Sequence, residues 1–260
     1  MREVKRPLKT LERVLSKAGL GSRVEARRWV NAGRVKVNGI VIRDPDHWVD
    51  MERDRVAFDG KPLRRREPIY LLLHKPTGYL TTYRDPQGRP TVYDLIRDVR
   101  TFVSPVGRLD LDTSGLLLLT NDNQFAERVT NPNSHVPKTY LVKASALLGE
   151  AQLQQLRDGI ELSDGPTRPA RVTHVRDSAT CTKFEITLTE GRNRQVRRMV
   201  EALGAKVLKL VRVRIGPVRI GALQIGRWRA LTEAEVQTIL AIAAAEPTAA
   251  TSESSVAPGE

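Results

Sequence analysis

The sequence has a single cysteine, Cys181, so no disulfide can close within the chain and a cysteine-rich zinc site is excluded. Its four histidines stand at positions 47, 74, 135 and 174, and none has metal-ligand spacing. The first ten residues, MREVKRPLKT, are basic but lack the apolar core of a secretory signal. No apolar run approaches the roughly 20 residues that span a bilayer. Neither a G-x-G-x-x-G nor a P-loop pattern is present, which argues against a nucleotide cofactor. These absences point to a cytoplasmic protein that uses no metal and no small-molecule cofactor. Nothing in the sequence demands an oligomer, so a monomer is expected.

What is abundant is positive charge. The 260 residues carry a net charge of +13 and a pI of about 10.3. Such a surplus favours a polyanion, nucleic acid first and an anionic membrane surface second. Its distribution is uneven: the first 67 residues hold 18 Lys/Arg against 10 Asp/Glu. Hydrophobic residues make up 40% of the chain, enough to build a packed core.

Texture divides the chain into four stretches: a flexible N-terminus (1–7), a small basic domain (8–66), a larger domain (67–245) and a tail (246–260). Arg64-Arg65-Arg66 before Pro68 reads as a linker. The tail, EPTAATSESSVAPGE, is small, polar and Pro-containing, a composition that predicts disorder.

In the basic domain, Leu11, Val14, Leu15 and Ala18 follow the spacing of one helix face, and Gly19 and Gly21 end the segment. A second helix begins at Ser22, with Glu25 three residues on as the reciprocal partner of a capping box. Arg23 and Arg27 share a face of that helix, with Arg28 beside them. RVKVNGIVI then reads as two short strands around an Asn38-Gly39 turn, and RVAFDG as a further strand.

The stretch LERVLSKAGLGSRVEARRWVNAGRVKVNG closely resembles the small RNA-binding domain of the S-four type, shared by a small-subunit ribosomal protein and tyrosyl-tRNA synthetases. That resemblance implies phosphate contacts by Arg23, Arg27, Arg28, Arg34 and Lys36. A solvated basic helix face is the alternative, and the charge surplus weighs against it.

The larger domain predicts strands at IYLLLHKP, GLLLLT, KTYLVKA, ARVTHV, KFEITLT and KVLKLVRVRI. Helices are predicted over 122–130, 149–157, 192–203 and 232–244, the last opening with a Thr232/Glu235 capping box. Strands that follow one another through short turns imply an α+β domain with a mixed, largely antiparallel sheet flanked by helices.

The most informative segment is GRLDLDTSGLLLLTND, residues 107–122. Here an Arg-x-Asp pair precedes a strand apolar enough to be buried on both faces. A carboxylate on such a loop is held rigidly and needs a cation to stay ionised. Spacing alone does not choose between Asp110 and Asp112, nor does it exclude a carboxylate that merely caps a turn.

This segment looks like the signature of the RsuA/RluB/RluE/RluF family of ribosomal RNA pseudouridine synthases. LHKPTGYLTTYRDPQGRPTVYDLI resembles the family's first motif and EGRNRQVRRMVEALG its late basic motif. The phrase RDPQGRPTVYDL makes the chain most similar to the RluB branch. The resemblance covers all but the tail and implies isomerisation of a uridine in ribosomal RNA, of the large subunit, after base flipping.

It also selects Asp110 as the catalytic carboxylate. One carboxylate can serve as nucleophile at the anomeric carbon or as base toward the ribose, with no cofactor in either case. A glycosidase would instead want a pair of carboxylates. The same resemblance implies Arg197 as the ion-pair partner of Asp110 and Tyr140 as the aromatic face for the flipped base. It implies that Arg108 opens the duplex or holds the vacated position, and that Lys75-Pro76 shapes the site. Arg192, Arg194 and Arg198 are assigned to RNA contact. An RNA deaminase, which also flips bases, would need a P-C-x-x-C zinc signature that one cysteine cannot supply.

Overall fold

The computed structural model describes residues 8–51, 53–63 and 67–245. The expected linker at 64–66, the first seven residues and the tail from 246 lie outside the described residues.

In the basic domain, α1 (Leu11–Lys17) and α2 (Arg23–Asn31) pack against each other. The capping box is present: the Glu25 amide donates to Ser22 Oγ, and the Ser22 amide donates to Glu25 Oε2 at 2.9 Å. Such a cap is worth about 1 kcal/mol. Strands β1 (Val35–Val37) and β2 (Ile40–Ile42) form the hairpin. Its turn puts Asn38 and Gly39 at φ 51° and 86°, the left-handed geometry that suits this dipeptide. Strand β3 (Val56–Phe58) pairs with the other side of β1. Leu11, Val14, Leu15, Ala26, Val30 and Val35 close a core of their own.

The larger domain is built on one sheet. Its main strands are β4 (Tyr70–Lys75), β5 (Ser114–Thr120), β6 (Lys138–Ala144), β7 (Arg171–Asp177), β8 (Thr182–Leu188), β9 (Val207–Ile215) and β10 (Trp228–Ala230). In space they run β7-β8-β6-β9-β5-β4-β10. The β9–β5 pairing is parallel and the rest are antiparallel, as the sequence implies. At the parallel seam, Gly115 stands opposite Arg212 with φ +114°, and a Cβ there would collide with the Arg212 backbone.

Every residue of β5 is buried. Leu116 and Leu118 face one way, into a core with Phe125, Val129, Val236 and Ile239 from α3 (Asn123–Thr130) and α6 (Glu233–Ala244). Leu117 and Leu119 face the other way, onto Val92, Ile96, Val103 and Leu109. Two-sided burial of this kind explains the unbroken leucine run. Each buried leucine contributes about 1.5–3 kcal/mol.

The other half of the sheet carries α4 (Glu150–Asp158) and α5 (Gln195–Ala202). Val196, Met199 and Val200 form an apolar stripe and pack on Val142, Phe184 and Ile186. One boundary differs from expectation. Helix α5 begins at Gln195 and not at Arg192, because Arg194 takes a left-handed φ of 48°. The Arg192 amide donates instead to Gln195 Oε1 at 3.1 Å, which closes the turn before the helix. No described helix is long and apolar enough to cross a membrane.

Candidate active site

The residues of GRLDLDT cross from the end of the two-residue strand Ser104–Pro105 to the start of β5. This loop borders a cleft of about 350 Å³ between the two halves of the sheet. Arg108, Asp110 and Tyr140 line the cleft together with Arg192, Arg194 and Gln195. Sequence segments more than 80 residues apart therefore meet at one place.

The loop owes its shape to donors from elsewhere in the chain. Five consecutive backbone carbonyls, from Leu109 to Thr113, each accept a hydrogen bond. Thr81 Oγ1 donates to Leu109 O at 2.8 Å and the Gly78 amide to Leu111 O at 2.8 Å. Lys75 Nζ donates to Asp110 O at 2.9 Å and to Thr113 O at 2.8 Å. Arg197 Nη2 donates to Asp112 O at 3.0 Å. Within the loop, the Thr113 amide donates to Asp110 O at 3.1 Å and closes a turn. An outer ring of donors of this kind preorganises the side chains the loop carries.

Lys75 sits wholly buried beneath this loop. Burial pushes its ammonium down to about 8, although the negative charges of Asp110 and Asp112 oppose the shift. Through these bonds Lys75 acts on the backbone of the loop.

The expected ion pair between Arg197 and Asp110 is not the one formed. Arg197 is buried on the first turn of α5, and its Nη2 lies 3.1 Å from Asp112 Oδ2. Its Nη1 also donates to Val207 O at 3.3 Å, which anchors the guanidinium under the loop. The 110–113 turn presents the Asp112 side chain to that anchored cation. Among the described residues the Asp110 carboxylate forms its ion pair with Arg194, 3.9 Å from Oδ2, and Arg194 also lies 3.4 Å from Asp112. Its left-handed backbone carries it to the rim, outside the helix. Asp112, the carboxylate that the resemblance passed over, joins two arginines to the loop.

Tyr140 lies half-buried on β6 and packs against both cores that flank the cleft. Its hydroxyl has no hydrogen-bond partner among the described residues. In register, Tyr140 faces Arg212, Arg212 faces Gly115, and Gly115 faces Lys75. This row runs across four strands below the cleft. Arg212, not singled out from the sequence, is buried there and donates from Nε to Leu116 O at 2.7 Å. A lone arginine inside a strand gives no local signal of such a place.

The remaining arginines divide into engaged and open side chains. Arg198 makes a two-point ion pair with Asp164, at 2.8 and 3.0 Å. Arg192 is tied to Glu190, to Asp164 and to the carbonyls of Gly165 and Pro166. Both therefore brace the hairpin 161–166 against α5. Arg108 is exposed on the cleft wall with no ion pair among the described residues.

In the basic domain, Arg23 and Arg27 both reach the buried carboxylate of Glu12, and Arg27 also grips Asp46. Arg34 pairs with Asp59 and lies 4.7 Å from the Phe58 ring. Arg28 and Lys36 remain exposed without a carboxylate partner among the described residues. Three of the five expected phosphate contacts thus already hold the domain together, and two stand free.

A basic helix-and-hairpin domain joined to an α+β domain with a rigid carboxylate loop in its cleft is the layout of an RNA-modifying enzyme. Residues 69–202 match the family described as RNA pseudouridylate synthase, and residues 10–56 match the S4 domain. The chain belongs to the RNA pseudouridylate synthase family and is an isomerase that makes pseudouridine in RNA.

It is 42% identical over 227 residues to an uncharacterized RNA pseudouridine synthase of Aquifex aeolicus (strain VF5), covering 87% of this chain and 91% of that one. It is 38% identical over 238 residues to the ribosomal large subunit pseudouridine synthase B of Bacillus subtilis (strain 168), covering 91% and 97%. A crystal structure of a pseudouridylate synthase superposes with a TM-score of 0.63 at 32% identity, covering 88% of this chain and 99% of that one.

Proposed function

We propose that this chain converts one uridine of large-subunit ribosomal RNA to pseudouridine, with Asp110 as the catalytic carboxylate. The observation that carries the assignment is that Asp110 and Tyr140 both line the cleft, while Asp112 is drawn toward Arg197. The substrate reading rests on the relatives named for the large ribosomal subunit, among them the Bacillus subtilis protein. An enzyme of this substrate acts in the cytoplasm, where ribosomal RNA is made in bacteria such as the relatives' sources.

In this reading the target uridine leaves its stack, at a cost of a few kcal/mol that pocket contacts offset. The ring of Tyr140 supplies a face for the uracil. Arg108, exposed on the wall, holds the vacated position. The bond from N1 to the anomeric carbon breaks, the uracil turns, and a bond from C5 to the same carbon forms. N1 ends protonated and C5 gives up its hydrogen, so atoms and electrons balance without a co-reactant. Asp110 serves either as nucleophile at the anomeric carbon or as base at the neighbouring ribose carbon. Both roles need an ionised carboxylate, and the Arg194 guanidinium lies 3.9 Å from Asp110 Oδ2.

The test is Asp110→Asn, which keeps size and polarity but removes the charge. The variant retains RNA affinity and loses pseudouridine formation, read by mass spectrometry of the modified RNA. Near-normal product from that variant would remove Asp110 from the chemistry.

A further inference from the structure

The sheet face opposite the cleft carries an arrangement that the proposed chemistry does not use. Strand residues alternate between faces. Tyr140, Val142 and Ala144 of β6 turn toward the cleft and its core. Thr139, Leu141 and Lys143 turn the other way, and the cross-strand register extends each of them into a row.

One row reads Arg176, Lys183, Lys143, Lys209 across β7, β8, β6 and β9. A second reads Arg171, Thr187, Thr139, Arg214 across the same four strands and ends on Arg219 of the two-residue strand Val218–Arg219. Between them lies a row of Thr173, Glu185, Leu141 and Val211. With strands about 4.8 Å apart, each four-strand row spans roughly 14 Å. At about 3.3 Å per residue, the two cationic rows lie roughly 13 Å apart.

Seven cations therefore share this face with one carboxylate, Glu185. Arg171, Arg176, Lys209 and Arg219 are exposed, while Lys183, Lys143 and Arg214 are half-buried. Among the described residues none of the seven forms an ion pair, although Arg214 donates to Thr139 Oγ1. Helices α4 and α5 pack on the opposite, cleft side of these strands.

Like charges set directly opposite each other across strands destabilise a sheet. Lys143 faces a lysine on each side, Lys183 and Lys209, so the fold carries this repulsion in its free state. A polyanion relieves it, and a sheet face with two cationic rows fits a partner that presents phosphates at high density.

We propose that this face is a second RNA-binding surface, which grips the sugar–phosphate backbone of the folded substrate RNA away from the target uridine. The inference takes its probe from the large-subunit RNA reading above, but its measurement is independent of which uridine is modified. Affinity here comes from phosphate contacts and carries no base specificity.

The test uses the full chain and the triple variant Lys143→Gln, Lys183→Gln, Lys209→Gln. Binding to large-subunit ribosomal RNA transcribed in vitro, and so free of modification, is measured against salt. Each lost phosphate contact removes about 0.7–0.9 from the salt slope, so the variant's slope flattens by about two to three. At 0.1 M salt its affinity falls roughly a hundredfold. Its melting temperature is no lower than that of the parent, because opposed charges have been removed. On the same RNA, KM rises and kcat is kept. The charge-preserving variant with arginine at all three positions restores the slope.

An unchanged slope and KM in the glutamine variant would overturn the proposal and leave the rows as a solvated surface. The same holds if the slope is unchanged while binding to phosphatidylserine-containing vesicles is lost. Failure of the large-subunit reading shows separately, as absence of pseudouridine made by the parent chain on that RNA.

Discussion

Lys75 Nζ lies 2.9 Å from the carbonyl oxygen of Asp110, directly beneath the loop that carries the carboxylate. The side chain is fully buried, and its ammonium also serves the carbonyls of Pro76 and Thr113. A cation here acts on the backbone of the loop, and through it on the position of Asp110.

Lys75→Met keeps the length of the side chain and removes its donors. Misplacing a reacting group by about 1 Å costs on the order of a hundredfold in rate. The expected result is a kcat lower by about that factor, with RNA affinity near that of the parent. Steady-state kinetics beside a binding isotherm separate the two. The pH dependence of stability gives a second reading. Lys75 has a folded value of about 8 against 10.5 for the free side chain. Between those values the unfolded chain binds a proton that the folded chain has released, so folding gains stability as pH rises. The parent should gain on Lys75→Met between pH 8 and pH 10, by at most about 3 kcal/mol. Urea midpoints of both proteins across that range test it, and a constant difference would contradict the burial argument.

Arg197 and Asp112 should behave as a coupled pair. Each alone holds one end of a buried-to-surface ion pair 3.1 Å long, and Arg197 also holds the loop carbonyl of Asp112. Arg197→Met leaves carbonyls unpaired and lowers stability by about 1–3 kcal/mol. Asp112→Asn, at an exposed carboxylate, costs less than 1 kcal/mol. The double variant should cost less than the sum of the two, because the interaction can be lost only once. Full additivity in thermal melts would mean that the pair carries no coupling.

In the basic domain the charged residues separate into two roles that salt titration can distinguish. Arg28→Ala and Lys36→Ala should each flatten the salt dependence of RNA binding by about one unit of slope and leave the melting temperature unchanged. Arg27→Ala should lower the melting temperature, because it strips a donor from the buried carboxylate of Glu12. Equal effects of all three on slope, with none on melting, would assign Arg27 to phosphate instead.

Much of the fold was legible from local pattern. The Asn38-Gly39 hairpin, the Ser22/Glu25 and Thr232/Glu235 caps, the leucines of β5 and the apolar stripe of α5 all depend on neighbours within a few residues. Backbone conformation and side-chain periodicity determine such features, and both are written consecutively along the chain. The small basic domain, the mixed antiparallel sheet and the Arg-x-Asp loop before a buried strand were therefore expected, and they are present.

Only tertiary structure decided which charges meet. Arg197 and Asp112 lie 85 positions apart, and Lys75 and Asp110 lie 35 apart. An arginine on a helix face has the same local sequence whether it meets phosphate, solvent or a carboxylate from another segment. Arg23, Arg27 and Arg34 turned out to be bound within their own domain, and Arg192 and Arg198 to the 161–166 hairpin. The cationic rows behind the cleft follow from strand order and register, which place residues from four separate strands side by side. Long-range pairing depends on where packed elements bring side chains together, and no periodicity along the chain encodes that.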